Sequence, residues 1–470
     1  MSTWFTTPEI LAATRGTLVQ RGVTETFCGV STDSRTCQAG QIFIPLSGEH
    51  HDGHEYIPGA LRRGARCVLT GRQCHPGESA AHLKPPKDVT VIAVGDTLTA
   101  LGDLARAWRD RFDVPVVGIT GSCGKTTTKE MTAAVLSSEY WVLKNTLNLN
   151  NLIGLPATLL GLDGGHEAAV VEMGMNRFGE IRRLTQICRP TVGVLINVHP
   201  AHTEGVGDVA GVARAKGELL ETLEQSATLI YNADDPWLAT LTKDFPGRAL
   251  GFGLKPGAYL RALGRQVKGW DGQVTRVSYA GRSWTLNLRV PGLHQLYNAL
   301  AATAVGLALD LDPEAAARSL ANFQAIHRRS QISTLSSGVH LLNDCYNANP
   351  GSMAVALNTL KELRGQARGV AALADMLELG HGAAQAHRDL GRAAAATGLE
   401  FLVVYGNFNK EVATGAQEGG LAPERIMLVN SPAEGARVLQ DVLQPGDWLL
   451  VKGSRSMHME GLIAGLGGSQ

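Results

Sequence analysis

The residues best placed to do chemistry fall in one short run, VPVVGITGSCGKTTTKEM, at positions 114–131. An apolar stretch suited to a buried strand runs into the loop Thr120-Gly121-Ser122-Cys123-Gly124-Lys125-Thr126, then into a helical pattern whose first turn carries Lys125, Thr126 and Thr127. Glycines let backbone N–H groups close on a phosphate, a lysine neutralises its charge, and a threonine hydroxyl can ligate magnesium. A helix terminus alone contributes only about 0.3–1 kcal/mol per favourable charge, so lysine and metal must supply much of the binding. The loop therefore reads as an ATP triphosphate cradle. It is not a strict G-x-x-x-x-G-K-[ST] motif, which would require glycine at Ile119; the glycines here are Gly118, Gly121 and Gly124.

Three further side chains could complete such a site. Glu172 ends the apolar run HEAAVVEMG, and His202 follows TVGVLINV in INVHPAHTEGVGD, so both are expected beyond strand ends, as the glycine loop is. Glutamate offers the hard oxygen that magnesium prefers, whereas histidine is an unusual ligand for that ion. Each could equally be a loop residue or a helix cap. In DVAGVARAKGELLETL the stripe Val209, Val212, Ala213, Leu219, Leu220, Leu223 has Lys216 in its middle. Burial there would favour a neutral amine able to react with carbon dioxide; a lysine that snorkels past the stripe or pairs with an acid is the competing reading.

The elements that must position these residues follow from pattern and length. A chain of 470 residues suits two or three domains. Forty-three basic and 43 acidic side chains cancel, leaving no global field to draw nucleic acid or a membrane surface. Seven cysteines without a close CxxC pair fit neither a disulfide framework nor a zinc cluster and read as reduced thiols. No unbroken apolar run of about 18 residues is present, so a cytoplasmic protein without membrane insertion is expected. A first block, 1–88, has short strand candidates (GQIFIPL, ARCVLTG) between polar turns and ends in HLKPPKD. A second, 89–322, alternates apolar strands with helices, as a parallel sheet covered by helices requires, and adds a hairpin from VTRVSYA and SWTLNLRV. The third, 323–470, repeats the strand-then-helix rhythm in VHLLND, GVAALAD, LEFLVVYG and DWLLVKG. Asp312-Pro313 and Asn349-Pro350 read as helix starts. The fold class is α/β with three domains: a loop-rich N-terminal domain, a central P-loop-type ATPase domain and a Rossmann-like C-terminal domain.

Taken together, these motifs resemble the Mur ligases, ATP-dependent amide-forming enzymes of peptidoglycan precursor synthesis, in the same order over nearly the whole chain. TGSCGKTT is similar to the family's ATP motif, NLNNLIGLP at 148–156 to its asparagine-rich stretch, Glu172 to its metal glutamate, His202 to its histidine and Lys216 to its carbamylated lysine. Asn298 in LHQLYNALAAT, Arg329 in HRRSQI and Asp344 in LLNDCYNANP are similar to its nucleotide-contacting residues. Two departures occur: Ala201-His202-Thr203-Glu204 where His-Leu-Glu is commoner, and Gln295 where asparagine often stands.

Within the family, DCYNANPGSM, ADMLELG and VKGSRSMHME resemble the C-terminal domain of the member that adds D-alanyl-D-alanine to a UDP-N-acetylmuramoyl-tripeptide. STDSRTCQAGQIFIPLSGEHHDGHEYI resembles the uridine-nucleotide-binding domain, and the Asp-Asn-Pro-Arg signature of the tripeptide-forming ligase does not occur in the chain. The resemblance implies an acyl phosphate intermediate, catalysis by Lys125, Glu172, His202 and Lys216, and two magnesium ions. Thr126 with Glu172 would hold one, and His202 with a carbon dioxide-derived carbamate on Lys216 the other. It also implies substrate contacts at Asn150 and Asn151, at Asn347, Asn349, Lys452, Ser454 and Arg455 for the dipeptide, and at Ser31, Thr32, Asp33, Ser34 and Arg35 for the uridine end; a plain capping turn competes for the last group. A monomer is expected. The tripeptide-forming ligase, a polyglutamate synthase and a P-loop regulatory ATPase are the alternative readings.

Overall fold

The computed structural model describes residues 4–48, 51–71, 85–146 and 149–468. Cys74, Asn148 and the first three residues of HLKPPKD lie outside them. The strands assemble into a five-stranded, a nine-stranded and a six-stranded sheet, with a small two-stranded ribbon, Trp4–Thr6 with Thr26–Cys28, beside the first.

The N-terminal sheet is mixed. Val30–Ser31, Ile42–Phe43, Cys67–Gly71 and Thr90–Val94 run parallel, and Thr17–Gln20 closes the edge antiparallel to Thr90–Val94. This corrects the boundary expected at residue 88. Thr90–Val94 pairs residue for residue with Cys67–Gly71, so the proline-bearing run is a loop inside the first sheet, and that sheet extends to Val94. Prolines mark a break in local structure, not the end of a sheet whose pairing is long-range.

In the central sheet seven strands run parallel, and the expected hairpin, Gln273–Tyr279 with Arg282–Leu288, extends it antiparallel. Its turn is Ala280-Gly281, both with positive φ (48° and 79°), the two-residue geometry that matches strand twist. Val116–Thr120, the strand that feeds the glycine loop, lies between Ala168–Glu172 and Val192–Leu195. The chain leaves it first to one side and then to the other, a switch point that opens a crevice at the carboxyl ends. All five of its residues are buried, as a central parallel strand requires.

The C-terminal sheet has five parallel strands in the order His340–Asn343, Trp448–Lys452, Gly369–Ala374, Phe401–Tyr405, Ile426–Val429, with Gln331–Thr334 antiparallel on the outer edge. The four strands expected there form; the two edge strands were not anticipated, Gln331–Thr334 because it carries a single apolar residue, and Ile426–Val429 although it is apolar throughout. Asp312 and Asn349 cap their helices as expected, Asp312 by accepting from the Ala315 N–H and Asn349 in a reciprocal box with Ser352.

The first two domains share one core, which runs from Phe5, Phe27 and Ile92 to Leu155, Leu184 and Leu229. Trp108, on the helix Thr97–Arg109, joins them: its ring lies 5.6 Å from that of Phe5 and 5.5 Å from that of Phe112, and its Nε1–H donates to the Leu162 carbonyl at 2.9 Å. Removing that ring should cost about 3–5 kcal/mol, as for other buried aromatics. Urea denaturation of Trp108→Ala should show the main transition displaced to lower urea by that amount; an unchanged midpoint would mean that the seam bears no load.

Candidate active site

The glycine loop passes into the helix Lys125–Leu136 through Gly124, whose φ of +82° suits glycine alone, and the helix has no side-chain cap. Its first N–H groups therefore face the crevice without intrahelical partners. A Cβ at Gly124 would sit 2.5 Å from Asn298 Oδ1, so glycine is required on steric grounds too.

Neighbours fix the loop's shape. Asn197 Oδ1 accepts from the N–H groups of Ser122 (3.0 Å) and Cys123 (2.9 Å), and Asn197 Nδ2 donates to the Cys123 carbonyl at 3.1 Å. The Ser122 hydroxyl bonds the backbone of His199 at both ends, donating to the carbonyl and accepting from the N–H. Lys125 Nζ donates to the Gly121 carbonyl at 2.9 Å, folded over the loop it serves. Thr120 is fully buried at the strand end, and its hydroxyl has no partner among the described residues.

Glu172 sits at the end of the adjacent strand, 3% exposed. Its Oε2 accepts from the Thr126 hydroxyl at 2.7 Å and its Oε1 from Asn150 Nδ2 at 2.7 Å. Asn145, 1% exposed, holds its backbone: the side-chain oxygen accepts from the Glu172 N–H (3.0 Å), and the amide donates to the Glu172 carbonyl (3.1 Å) and to that of Leu149 (2.8 Å). Buried Lys129 in turn donates to the Asn145 carbonyl. A carboxylate and a hydroxyl from two elements thus meet beside the phosphate loop, the hard-oxygen donor set that magnesium accepts. Thr127 is buried in the same turn, and Asn151 caps the helix Gly154–Leu159 by accepting from the N–H groups of Ile153 and Gly154.

Lys216 is 2% exposed on the helix Val209–Thr222, amid Val212, Ala213 and Leu219 as the stripe predicts. It has no hydrogen-bond or ion-pair partner among the described residues. Burial first, and then the Lys125 charge, hold its basicity well below that of an ordinary lysine, and burial raises the neighbouring Cys123 thiol. At 2% exposure the Lys216 side chain does not lie out in solvent, and no acid pairs with it among the described residues. His202 has a left-handed backbone (φ 56°), and its Nδ1 lies 2.5 Å from Glu378 Oε2 of the C-terminal domain, which keeps the Glu378 carboxyl below its ordinary range.

The loop, Glu172, His202, Asn150 and Asn151 line a cleft of about 1040 Å³ that is walled on its other side by Arg329, Asp344, Tyr346, Asn347, Asn349, Lys452 and Arg455. Asn298 lies between, accepting from the Thr128 hydroxyl at 3.2 Å. Asp344 is held by Lys452 Nζ at 2.6 Å and by the Ser330 N–H at 2.8 Å, and Arg329 stacks 4.0 Å over the Tyr346 ring. Asn349 reaches the loop itself: its Oδ1 lies 3.1 Å from Cys123 Sγ, and its Nδ2 donates to the Ser122 carbonyl at 3.4 Å.

Not every expected contact is in this cleft. Ser454 is buried, 4% exposed, and its hydroxyl accepts from the Leu377 N–H. It shapes the loop instead of lining the cavity. Ser31, Thr32, Asp33, Ser34 and Arg35 are absent from the lining; Asp33 binds the Arg35 backbone and guanidinium, which is the capping turn that competed with a substrate role. In the other direction, Asn145, Asn197, Asp234, Tyr297 and Glu378 were missed. Asp234 accepts from the Tyr297 hydroxyl (2.7 Å) and the Leu254 N–H (2.7 Å) at the cleft wall. Asn197 lies within INVHPAH, Tyr297 beside Asn298 in LHQLYNALAAT and Glu378 within ADMLELG, so these three stood inside runs already singled out, whereas Asn145 and Asp234 did not.

Comparison with known proteins agrees with this arrangement. Residues 26–109 match the Mur ligase family catalytic domain, 119–306 the Mur ligase middle domain, and 328–455 the Mur ligase glutamate ligase domain. The UDP-N-acetylmuramoyl-tripeptide–D-alanyl-D-alanine ligase of Bacillus subtilis is 33% identical over 98% of both chains. The chain belongs to the Mur ligase family. Among solved Mur ligases, MurF of Acinetobacter baumannii superposes with a TM-score of 0.89 at 29% identity over 99% of both chains. MurF of Thermotoga maritima, in complex with ADP, gives 0.80 at 27% identity over 93% of this chain and 96% of that one. The three-domain α/β architecture, the ATP-dependent ligase class and the use of ATP follow for this Mur ligase.

Truncating Asn197 would leave loop N–H groups short of an acceptor, a loss of about 1–3 kcal/mol per buried group. For Asn197→Ala, ADP affinity measured by titration calorimetry should fall at least tenfold; unchanged affinity would show that the loop holds its shape without it.

Proposed function

We propose that this Mur ligase joins D-alanyl-D-alanine to UDP-N-acetylmuramoyl-tripeptide, consuming ATP, in the cytoplasmic assembly of a peptidoglycan precursor. The observation that carries the reading is the shared cleft: the phosphate loop forms one wall, the Asp344–Asn349 loop forms the other, and Asn349 touches both. Curated relatives bearing that activity align over nearly the full chain.

Forming an amide from a carboxylate and an amine in water is uphill, so the carboxylate must first become an electrophile. A carboxylate oxygen of the tripeptide attacks the γ-phosphorus, the β–γ bridging oxygen leaves with ADP, and the resulting acyl phosphate accepts the dipeptide amine. Inorganic phosphate then departs and the amine gives up a proton. Such transfer depends on positioning and charge neutralisation. Lys125 and the uncapped helix terminus meet the phosphates; Asn298, Arg329 and Asp344 hold the nucleotide across the cleft. Asn347 and Arg455, both exposed within it, would meet the dipeptide, Arg455 from its pair with Glu460, whereas Lys452 acts through Asp344 and the Asn347 carbonyl. Ser31–Arg35 sit on the N-terminal domain, where a uridine group would dock, and Asn150 and Asn151 face the tripeptide arm.

Thr126 and Glu172 would hold one magnesium, and His202 with a carbamate on Lys216 a second. When bound, these ions neutralise charge on the transferring phosphoryl group. A buried amine with no partner among the described residues supports the carbamate: the neutral nitrogen adds to carbon dioxide and gives up a proton, which leaves a carboxylate in place of the amine. Contacts from the C-terminal domain onto the loop keep water from the acyl phosphate. One chain supplies every group named, so a monomer suffices.

Phosphate release by the purified protein should require both D-alanyl-D-alanine and UDP-muramoyl-tripeptide. Turnover with a free diamino acid acceptor, with folate and glutamate, or with no acceptor at all would instead identify a tripeptide-forming ligase, a polyglutamate synthase or a regulatory ATPase. Lys216→Ala should lose at least a hundredfold in kcat, with partial recovery in millimolar acetate or formate; full activity without either would remove the carbamate.

A further inference from the structure

His202 and Glu378 belong to different domains, and both hold left-handed backbone, φ 56° and 62°. Residues with a Cβ stay in that region only where their surroundings over-determine it. Here the surroundings are each other. The Glu204 N–H donates to the Glu378 carbonyl at 3.2 Å, and the Thr203 hydroxyl donates to the Leu379 carbonyl at 3.1 Å. Gly380, φ 56°, packs so closely that a Cβ would lie 3.2 Å from Glu204 Cα. The segment after the strand Gly369–Ala374 is thus docked on the start of the short helix Thr203–Val206, and the docking aims the Glu378 carboxylate at the His202 ring.

A carboxylate can only accept, so the pairing places the ring proton on Nδ1 and leaves the lone pair on Nε2. Nε2 has no partner among the described residues, and His202 lines the same cleft as Lys125, Glu172 and Asn150. A histidine that binds a metal through one nitrogen commonly donates its other N–H to a carboxylate, which fixes the tautomer and the ring plane. We propose that Glu378 is a positioning residue: carried in by the C-terminal domain, it orients His202 as an Nε2 donor, so the second metal site is complete only when the two domains are docked. This rests on the reading of His202 as a magnesium ligand. Its consequence is that phosphoryl transfer waits for closure, and an open enzyme does not spend ATP on water.

The test uses the full chain with manganese as a spectroscopic probe, a non-hydrolysable ATP analogue and UDP-muramoyl-tripeptide. Electron spin echo spectra of the unmodified protein should show imidazole nitrogen coupling that His202→Ala removes. Glu378→Ala should weaken that coupling and raise the metal concentration for half-saturation about 10–100-fold, the usual effect of losing such a partner. Glu378→Gln, whose amide oxygen still accepts from Nδ1–H, should recover most of both, and unfolding midpoints check that each variant is folded. Unaltered coupling and metal affinity in Glu378→Ala overturn the proposal while leaving His202 a ligand, even if solution scattering shows that variant more open. Identical spectra for the unmodified protein and His202→Ala remove the ligand reading itself, and the proposal with it.

Discussion

A helix that begins without a cap presents several backbone N–H groups to whatever lies before it, and the active cleft is organised around one such terminus. The helices starting at Thr7, Thr97, Val209, Pro313, Pro350 and Pro432 each have a Thr, Asp, Asn or Ser side chain that accepts from their first turn. Lys125–Leu136 has only Gly124. Its first-turn donors are left open toward the cleft, the arrangement an anion-binding terminus requires, and the loop before it is held from outside. Asn197 and His199 do that from the next strand, and Asn349 does it from the third domain.

The same logic explains why so many polar side chains are buried at the carboxyl ends of the central strands. Glu172 could not remain there as a carboxylate without partners, because an unpaired buried charge is far costlier than a buried hydroxyl. Thr126 and Asn150 each satisfy one of its oxygens, and Asn145 replaces the strand neighbour its backbone lacks. Lys216 is the exception, buried with no partner among the described residues, and that burial holds its basicity well below that of an ordinary lysine.

What the sequence made legible is what local pattern encodes. The glycine loop, the buried strand before it, the stripe around Lys216 and the caps at Asp312 and Asn349 depend on neighbours a few residues away, and they stand where the pattern put them. Residues whose meaning is tertiary were not legible. Asn145 has no local motif, and Glu378 lies 176 residues from its histidine. Thr90–Val94 was assigned past a boundary because prolines are visible in a sequence and sheet pairing is not. Ser454 carried a motif's signature yet faces inward, since a three-residue run cannot say which of its side chains a following turn buries.

The division of labour between domains follows from these distances. The phosphate loop and Glu172 belong to one sheet and are pre-arranged by it, whereas Asp344, Asn349 and Glu378 arrive on another sheet with its own core. Nothing in the central sheet holds those three in place. Their positions are set by contacts across the cleft: Ser122 and Cys123 with Asn349, His202 and Glu204 with Glu378, Thr203 with Leu379, Ser330 with His294, and the half-buried pair Arg265 and Glu362 at 2.6 Å. These contacts are hydrogen bonds, ion pairs and a small aromatic cluster of Trp270 against His340 and Trp448, and among the described residues no apolar core cluster spans this seam as one spans the first two domains, so it holds more weakly. The N-terminal seam is therefore the rigid one and the C-terminal seam the one able to open.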